Sequence, residues 1–457
     1  MTNIDQLHRL RTFYQSGATR SYTFRKEQLE KLRKVLLEHE EEIYAALYSD
    51  LHKSKEEVWV TEIGMVLSEI NYTLRHLKTW MAPERTRTNL ANLPSASYIL
   101  KEPLGVCLII SAWNYPVQVL LNPLVGALAA GNCAVLKPSE YNPATAALLQ
   151  RMIETAFPPD QVLCVSGEGA TVVPAMMEQF RFDHVFFTGS AAVGRAVYTM
   201  AADKLVPVTL ELGGKSPCVV EADANLTVAA KRICAVKYSN CGQICVAPDY
   251  VLVHASVHDK LLTEMKRVLH RFFGDDPSTS EAYGRMVNQR QFDRVLPYLQ
   301  QGDLAHGGRH NRDARYIEPT ILTNVSLESA VMQEEIFGPV LPVFAYQTMD
   351  DAMKIINRHP NPLAFYVFTQ SEAGEKRWLE TVQAGGCCVN NTALHLTNHQ
   401  LPFGGRGASG TGRYHGKYSF DTFSHHKAVM KTPTWFDPAI RYPPFKGRLS
   451  LFKKLIG

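Results

Sequence analysis

The chain has 457 residues, 46% of them hydrophobic, and a formal net charge of +4. That length can bury more than one core and predicts two large lobes. So small a charge, spread along the sequence rather than gathered in blocks, excludes a dedicated nucleic-acid binder and points to small-molecule chemistry.

Nine cysteines are an odd number and too sparse for a disulfide framework, so they are expected to be reduced thiols of a cytoplasmic protein. The opening stretch, MTNIDQLHRLRTFYQ, carries charges where a signal peptide would be apolar, and secretion is not expected. From about Tyr22 to Trp80, apolar residues recur at three- and four-residue spacing, which predicts charged, amphipathic helices. Residues 103–136 contain no charge and are long enough to cross a bilayer. Pro116, Pro123 and three asparagines (Asn114, Asn122, Asn132) divide them into a β-branched run, a Leu- and Ala-rich helix and a second short run at Ala134–Leu136. A strand, helix and strand of a buried parallel sheet read in this way.

From Gly105 onward, buried runs such as VCLIIS, AVLKPS, VLCVSG and HVFFTGS alternate with helical stretches, which predicts right-handed βαβ crossovers and an α/β fold. A second series of the same kind begins after Gly213 and continues to about Asn391. From Pro402 the chain is rich in Gly, Ser, Tyr and His, looks like linking or subunit-contact structure, and ends in the basic, partly amphipathic tail FKGRLSLFKKLIG. Contact of that tail with an anionic membrane surface is an expectation.

Three glycine patterns differ in their context. GGRGASG at 404–410 formally matches a dinucleotide fingerprint, but no buried strand precedes it and a poor helix follows. GGKS at 213–216 lacks the first glycine of a phosphate loop, since position 209 is Thr209, and Glu211 would repel phosphate. FTGSAAVG at 187–194 has the right setting. A strand ends at Gly189, Ser190 opens a helix whose free N–H groups can seat a pyrophosphate, and Gly194 permits close helix–strand packing; an ordinary N-cap is the plainer alternative. In KPSE at 137–140, Lys137 can donate to ribose hydroxyls and Glu140 accept from them, and the Glu140 charge disfavours a 2′-phosphate, hence NAD over NADP. Asn114 in WNYP offers an amide N–H₂ to an oxyanion, with Tyr115 beside it. ELGGKSP at 211–217 and NCGQICVAP at 240–248 supply a carboxylate, Glu211, and a thiol, Cys245, the base and nucleophile that covalent catalysis with hydrolysis requires.

Together, WNYP, KPSE, FTGSAAVG, ELGGKSP, NCGQICVAPDY, EEIFGPV at 334–340 and PFGG at 402–405 resemble the aldehyde dehydrogenase superfamily in order and spacing, over about Ser21 to Pro444. APDYV, YHGKYSFDTFSH at 414–425 and RYPP at 441–444 look most like its class 3 and fatty aldehyde branch. The resemblance implies a Rossmann-like NAD-binding domain (1–210), a second α/β catalytic domain (211–406) and a return segment with an oligomerisation tail (407–457). It also implies a homodimer, with 85–104 and the tail as contact regions. It makes Cys245 the nucleophile and Glu211 the base, and gives the oxyanion hole to Asn114 and the Cys245 amide. It gives the adenosine and pyrophosphate to Lys137, Glu140, Gly189, Ser190 and Gly194, and the nicotinamide ribose and ring to Glu335 and Phe337. The implied reaction adds the thiolate to an aldehyde, passes hydride to NAD (NADP is the alternative) and hydrolyses the thioester. The positive nicotinamide should lower the thiol pKa.

Cys241 stands where relatives often have a small non-thiol residue, so an oxidised Cys241–Cys245 bridge is weighed against a packed thiol. Arg406 favours acidic or polar substrates if it faces the tunnel and changes nothing if it faces solvent. Cys387 and Cys388 read as packing residues, the histidines lack ligand spacing, and no metal is expected. Tyr115, Tyr238 and Phe403 suggest an aromatic-lined tunnel for medium-to-long aliphatic or aromatic aldehydes. A semialdehyde dehydrogenase and an acylating, coenzyme A-dependent enzyme are the alternatives; Glu211 argues against the second. A nucleotide-binding scaffold would have lost Cys245, Glu211 or Asn114, and all three are present.

Overall fold

The computed structural model describes residues 4–456; Met1–Asn3 and Gly457, the ends of the 1–210 segment and of the basic tail, lie outside the described residues. At its centre is the uncharged stretch. Val106–Ile110 and Cys133–Lys137 are strands buried at every residue, and the helix Gln118–Ala130 between them is buried along all 13 of its positions. A sheet covered on both faces needs such an unbroken apolar run. Gly131, at φ 89°, ends the helix in a left-handed conformation that suits glycine. Asn132 fixes the reversal: its Oδ1 accepts from the Gly105 N–H at 2.8 Å and its Nδ2 donates to the carbonyls of Ala127 and Phe423. Among the described residues no helix is long and apolar enough to cross a membrane.

The first sheet runs, edge to edge, Gly410–Thr411, Val208–Glu211, His184–Thr188, Val106–Ile110, Cys133–Lys137 and Val162–Cys164. All neighbours are parallel except the Gly410–Thr411 pair. Strand order reverses around Val106–Ile110, and a crevice forms at the carboxyl ends on either side of such a point. The GGRGASG stretch is confirmed as no dinucleotide loop, because it makes a short 3₁₀ turn, Gly407–Ser409, and then this antiparallel edge strand. The second sheet runs Asp303–His306, Thr320–Thr323, Val340–Tyr346, Tyr250–His254, Pro217–Val220, Ala364–Phe368 and Gly386–Val389, parallel except at the first pair. The molecule is therefore α/β with two parallel-sheet bodies. A small antiparallel sheet joins Glu84–Thr86 and Ala96–Pro103 to Ser424–Lys431, so the 85–104 segment and the return segment build one element.

The two large sheets meet end to end. Glu211 closes the carboxyl end of a strand in the first, Pro217 opens the amino end of a strand in the second, and only Leu212–Ser216 lies between. Helices Tyr22–Glu38, Glu40–Leu51 and Gly64–Met81 pack on Gln118–Ala130 and Pro143–Ala156 beside this junction.

One of these contacts is a helix cap supplied from another helix. The Asp50 carboxylate, 6% exposed, accepts from the N–H groups of Ala144 and Thr145 and from the Thr145 hydroxyl, at 3.3, 2.8 and 2.7 Å. It satisfies the start of Pro143–Ala156 and opposes the positive end of that helix dipole. Asp50→Ala is expected to lower unfolding free energy by about 1–3 kcal/mol, read as a shifted urea midpoint at unchanged slope.

Candidate active site

Cys245 lies in a loop that leaves the helix Leu226–Tyr238 and enters the strand Tyr250–His254. Three successive residues of this loop are left-handed: Asn240 at φ 47°, Cys241 at 54° and Gly242 at 75°. The first two carry side chains, so the loop stores strain that surrounding bonds must hold. Glu57 accepts from the Asn240 N–H at 2.7 Å and the Ser239 hydroxyl at 2.8 Å. Gln243 donates to the carbonyls of Asn240 and Arg285, at 2.9 and 3.0 Å, and accepts from the Val287 N–H at 2.9 Å. At Gly242 a Cβ would come within 2.3 Å of the Gly338 carbonyl oxygen, so no side chain fits there. The result is a turn whose Cys245 and Val246 N–H groups have no carbonyl acceptor and point to the Cys245 sulfur.

Asn114 is 2% exposed. Its carbonyl accepts from Lys53 Nζ at 3.0 Å and Asn240 Nδ2 at 2.7 Å, which ties it to the nucleophile loop, while its side-chain amide bonds to no group among the described residues. The side-chain amide, with the two backbone N–H groups that bond to no carbonyl, offers donors near the Cys245 sulfur that an oxyanion could use.

Glu211 is 3% exposed, and both carboxyl oxygens lack a hydrogen-bond partner. Burial alone raises its pKa well above the ordinary carboxylate value. Beside it, Glu335 is pushed up to about 8 by burial and by the charge of Asp249, against a stabilising hydrogen bond from Gly214. Glu335 occupies the space a side chain on Gly213 would take: a Cβ there would stand 1.8 Å from Glu335 Oε2. Its segment is held by Lys215, whose ammonium meets Asp249 at 2.5 Å and the Val331 and Glu334 carbonyls at 2.8 Å. The Cys245 thiol is pushed up to about 12 by burial, and next by the charges of Glu335 and Glu211. Cys245, Glu211 and Glu335 are thus electrostatically coupled in one pocket, with Cys245 and Glu335 half-buried and Glu211 buried, and the Tyr414 phenol feels both Glu211 and Cys245.

The cofactor candidates gather along the carboxyl edge of the first sheet. Ser190 caps the helix Ala191–Ala202, and the Gly189 N–H bonds to the Glu211 carbonyl at 3.0 Å, linking this seat to the base. At Gly194 the helix packs closely on the strand end, and a Cβ would lie 2.6 Å from Leu212 Cδ2 unless that side chain moved. Lys137 donates to the Pro138 carbonyl and to Glu140, and Glu140 also accepts from the Gly169 N–H. Ser111 Oγ and Thr188 Oγ1, which end or follow adjacent strands, are buried without partners, as groups facing a bound ligand would be. Phe337, at φ 45°, packs edge-on against Trp113 with ring centroids 5.0 Å apart. These residues fit a dinucleotide laid across that edge.

Some expectations change. Tyr238 does not line an open tunnel; it is fully buried and its hydroxyl donates to the Thr320 carbonyl at 3.0 Å, because its helix turns that ring into the second lobe. Phe403, 7% exposed, pairs with Tyr414 and backs it, so Tyr414 is the aromatic group that reaches the site. Tyr115 stays beside the thiol, partly buried, under the Lys53 ammonium at 3.9 Å. Arg406 is exposed. Cys241 is packed, its sulfur directed to the Tyr283 hydroxyl at 3.6 Å. Cys387 and Cys388 are half-buried on the outer strand Gly386–Val389 of the second sheet. Among the described residues no His, Cys, Asp or Glu cluster has metal-binding geometry. Tyr414, Ser111, Thr188 and the Lys53–Glu62 pair escaped sequence reasoning; a hydroxyl at the end of an apolar run was the one signal for Ser111 and Thr188.

Because the Glu335 charge raises the Cys245 pKa, Glu335→Gln should speed alkylation of Cys245 in cofactor-free enzyme. The gain appears at pH 9, where Glu335 is ionised, and vanishes below pH 7, where it is neutral like glutamine. Iodoacetamide labelling with peptide mass spectrometry separates Cys245 from the other thiols.

Residues 12–429 match the aldehyde dehydrogenase family model. The 4,4'-diaponeurosporen-aldehyde dehydrogenase of Staphylococcus aureus is 45% identical over 97% of this chain and 96% of its own length. The dimeric NADP-preferring aldehyde dehydrogenase of Canis lupus familiaris is 41% identical over 98% and 100%. A substrate-bound structure of AldH from Staphylococcus aureus superposes with a TM-score of 0.97 at 44% identity, covering all of both chains. With this fold, a half-buried thiol beside a buried carboxyl, and these relatives, the chain belongs to the aldehyde dehydrogenase family, on its class 3 side, and oxidises aldehydes to carboxylic acids with NAD or NADP.

Proposed function

We propose that the chain oxidises medium-to-long aliphatic or aromatic aldehydes through a thiohemiacetal and a hydrolysed thioester, both at Cys245. What carries the reading is the orphaned, buried Glu211 carboxyl beside a thiol with free N–H groups aimed at its sulfur. The Cys245 thiol releases its proton to solvent, and the thiolate sulfur adds to the aldehyde carbon as the carbonyl π electrons move to oxygen. Asn114 and the Cys245 N–H hold the resulting oxyanion. Lys137, Glu140, Gly189, Ser190 and Gly194 would hold the adenosine and pyrophosphate of the dinucleotide and Glu335 and Phe337 its nicotinamide end, and the bound group would supply the hydride acceptor that the oxidation requires. Glu211 then takes a proton from water, the water oxygen attacks the thioester, and the acid leaves as the thiol is restored. Burial raises the Glu211 pKa and so makes its carboxylate a stronger base toward that water than a solvated one.

Residues 1–210 would form the cofactor domain, 211–406 the catalytic domain, and 407–457 the return and oligomerisation segment. The sheet shared by Ala96–Pro103 and Ser424–Lys431 suits contact with a second copy, and a homodimer is the proposed assembly. The closing helix Leu449–Ile456 exposes Leu449 and Leu451 beside Lys453 and Lys454, which suits peripheral contact of a cytoplasmic enzyme with an anionic membrane surface. Tyr115, Tyr414 and Phe403 favour an apolar substrate, in keeping with a relative named for 4,4'-diaponeurosporen-aldehyde. The exposure of Arg406 removes the candidate anchor for a semialdehyde.

NADH formation from hexanal and benzaldehyde, with and without coenzyme A, tests the mechanism. Wild type should turn over without coenzyme A, Cys245→Ser should be inactive, and Glu211→Gln should give one burst and stall. Turnover dependent on coenzyme A, or normal cycling of Glu211→Gln, would replace this reading with the acylating one.

A further inference from the structure

The helix Gly64–Met81 is preceded by a wide π-helical turn, Trp59–Ile63, which holds Glu62. Such turns are energetically poor and concentrate at functional sites. Glu62 and Lys53 form an ion pair at 2.8 Å with both side chains fully buried. Every direction around this pair leads to the neighbourhood of Asn114. The Lys53 ammonium also donates to the Asn114 carbonyl at 3.0 Å and stands 3.9 Å from the Tyr115 ring centroid. Glu62 Oε2 accepts from the N–H groups of Val117 and Gln118, at 3.1 and 2.9 Å. Those are the first amides of the helix Gln118–Ala130, where a carboxylate is favoured by the dipole. The pair thus grips the chain on both sides of the segment 114–118, from the carbonyl of its first residue to the amide of its last.

A buried ion pair seldom stabilises a fold more than an apolar pair of the same volume. What it supplies is geometry, because an ammonium fixed by a carboxylate, a carbonyl and an aromatic face cannot relax without breaking one of them. We propose that Lys53 and Glu62 are positioning residues for the oxyanion hole, setting the direction of the Asn114 amide relative to the Cys245 loop. The inference rests on Asn114 being an oxyanion donor. Misaimed by a fraction of an ångström, that donor still permits aldehyde binding but loses its bond to the developing oxyanion. The defect therefore belongs in the rate of the chemical step rather than in binding.

Lys53→Met alone leaves a buried unpaired carboxylate and is expected to unfold the region rather than report on catalysis. The informative variant removes the charges together, Lys53→Met/Glu62→Gln, and is compared with Asn114→Ala and with the triple variant in a stopped-flow measurement of the first hydride transfer. Asn114→Ala should slow that step roughly 10²–10³-fold. The paired variant should slow it about tenfold or more, with aldehyde KM, NAD affinity and the Cys245 alkylation rate unchanged within about twofold. Placed on Asn114→Ala, the paired change should add almost nothing, because the donor it positions is already gone. Equal slowing in both backgrounds, or no slowing in either, overturns the positioning role while leaving Asn114 in place. If Asn114→Ala itself reacts at the wild-type rate, the oxyanion assignment fails first. Should the paired variant not fold, Lys53→Gln/Glu62→Gln, which removes both charges yet keeps a donor for the Asn114 carbonyl, enters the same cycle and must show partial slowing that Asn114→Ala abolishes.

Discussion

The whole site depends on how Lys215 closes the junction between the two sheets. Its ammonium, 2% exposed at the side chain, is enclosed by Asp249 and the carbonyls of Val331 and Glu334. Asp249 in turn accepts from the Ile336 N–H at 3.0 Å, and its own N–H reaches the Ser216 carbonyl at 2.9 Å. One buried charge thereby binds the linker after Glu211, the strand after Cys245 and the segment that carries Glu335. Three stretches far apart in sequence are held to one point, and a buried cation with every partner supplied by the protein leaves them little freedom to drift.

The same enclosure explains the unusual protonation of the pocket. Removing water raises the Cys245 thiol, Glu211 and Glu335 together, and the two carboxyls reinforce the effect on the thiol. In free enzyme the thiol is therefore held in its protonated form. Such a site is quiet toward stray electrophiles until a positive group enters and tips the balance toward thiolate. The missing partners of Glu211, and of Ser111 and Thr188 along the adjacent edge, describe a surface organised for ligands and water rather than for the protein itself.

Much of this was legible in the sequence because it is local. The charge-free run at 103–136 had to be a buried strand–helix–strand unit once its asparagines and prolines were counted, and the strand context of FTGSAAVG separated it from the false fingerprint at 404–410. Cys245, Glu211 and Asn114 stood out as candidates by residue type within turn-rich motifs, and the fold brings them to one place. What stayed hidden depends on distant contacts. Tyr238 looks like a pocket residue by its nearness to Cys245, yet helical phase turns it to Thr320. Tyr414 reaches the site only through an antiparallel bridge with Phe403, and Lys53 and Glu62 look like ordinary surface charges in a helical stretch until the fold buries them.

On this electrostatic balance the Cys245 thiol stays protonated until the cofactor arrives. The direct measurement is the ultraviolet thiolate absorbance of wild type minus Cys245→Ser, titrated with and without NAD. The account predicts no thiolate signal in free enzyme at pH 7–9, since the thiol is held near 12, and a signal in that range once NAD is bound. A thiolate already present in free enzyme at neutral pH, and unchanged by NAD, would contradict it.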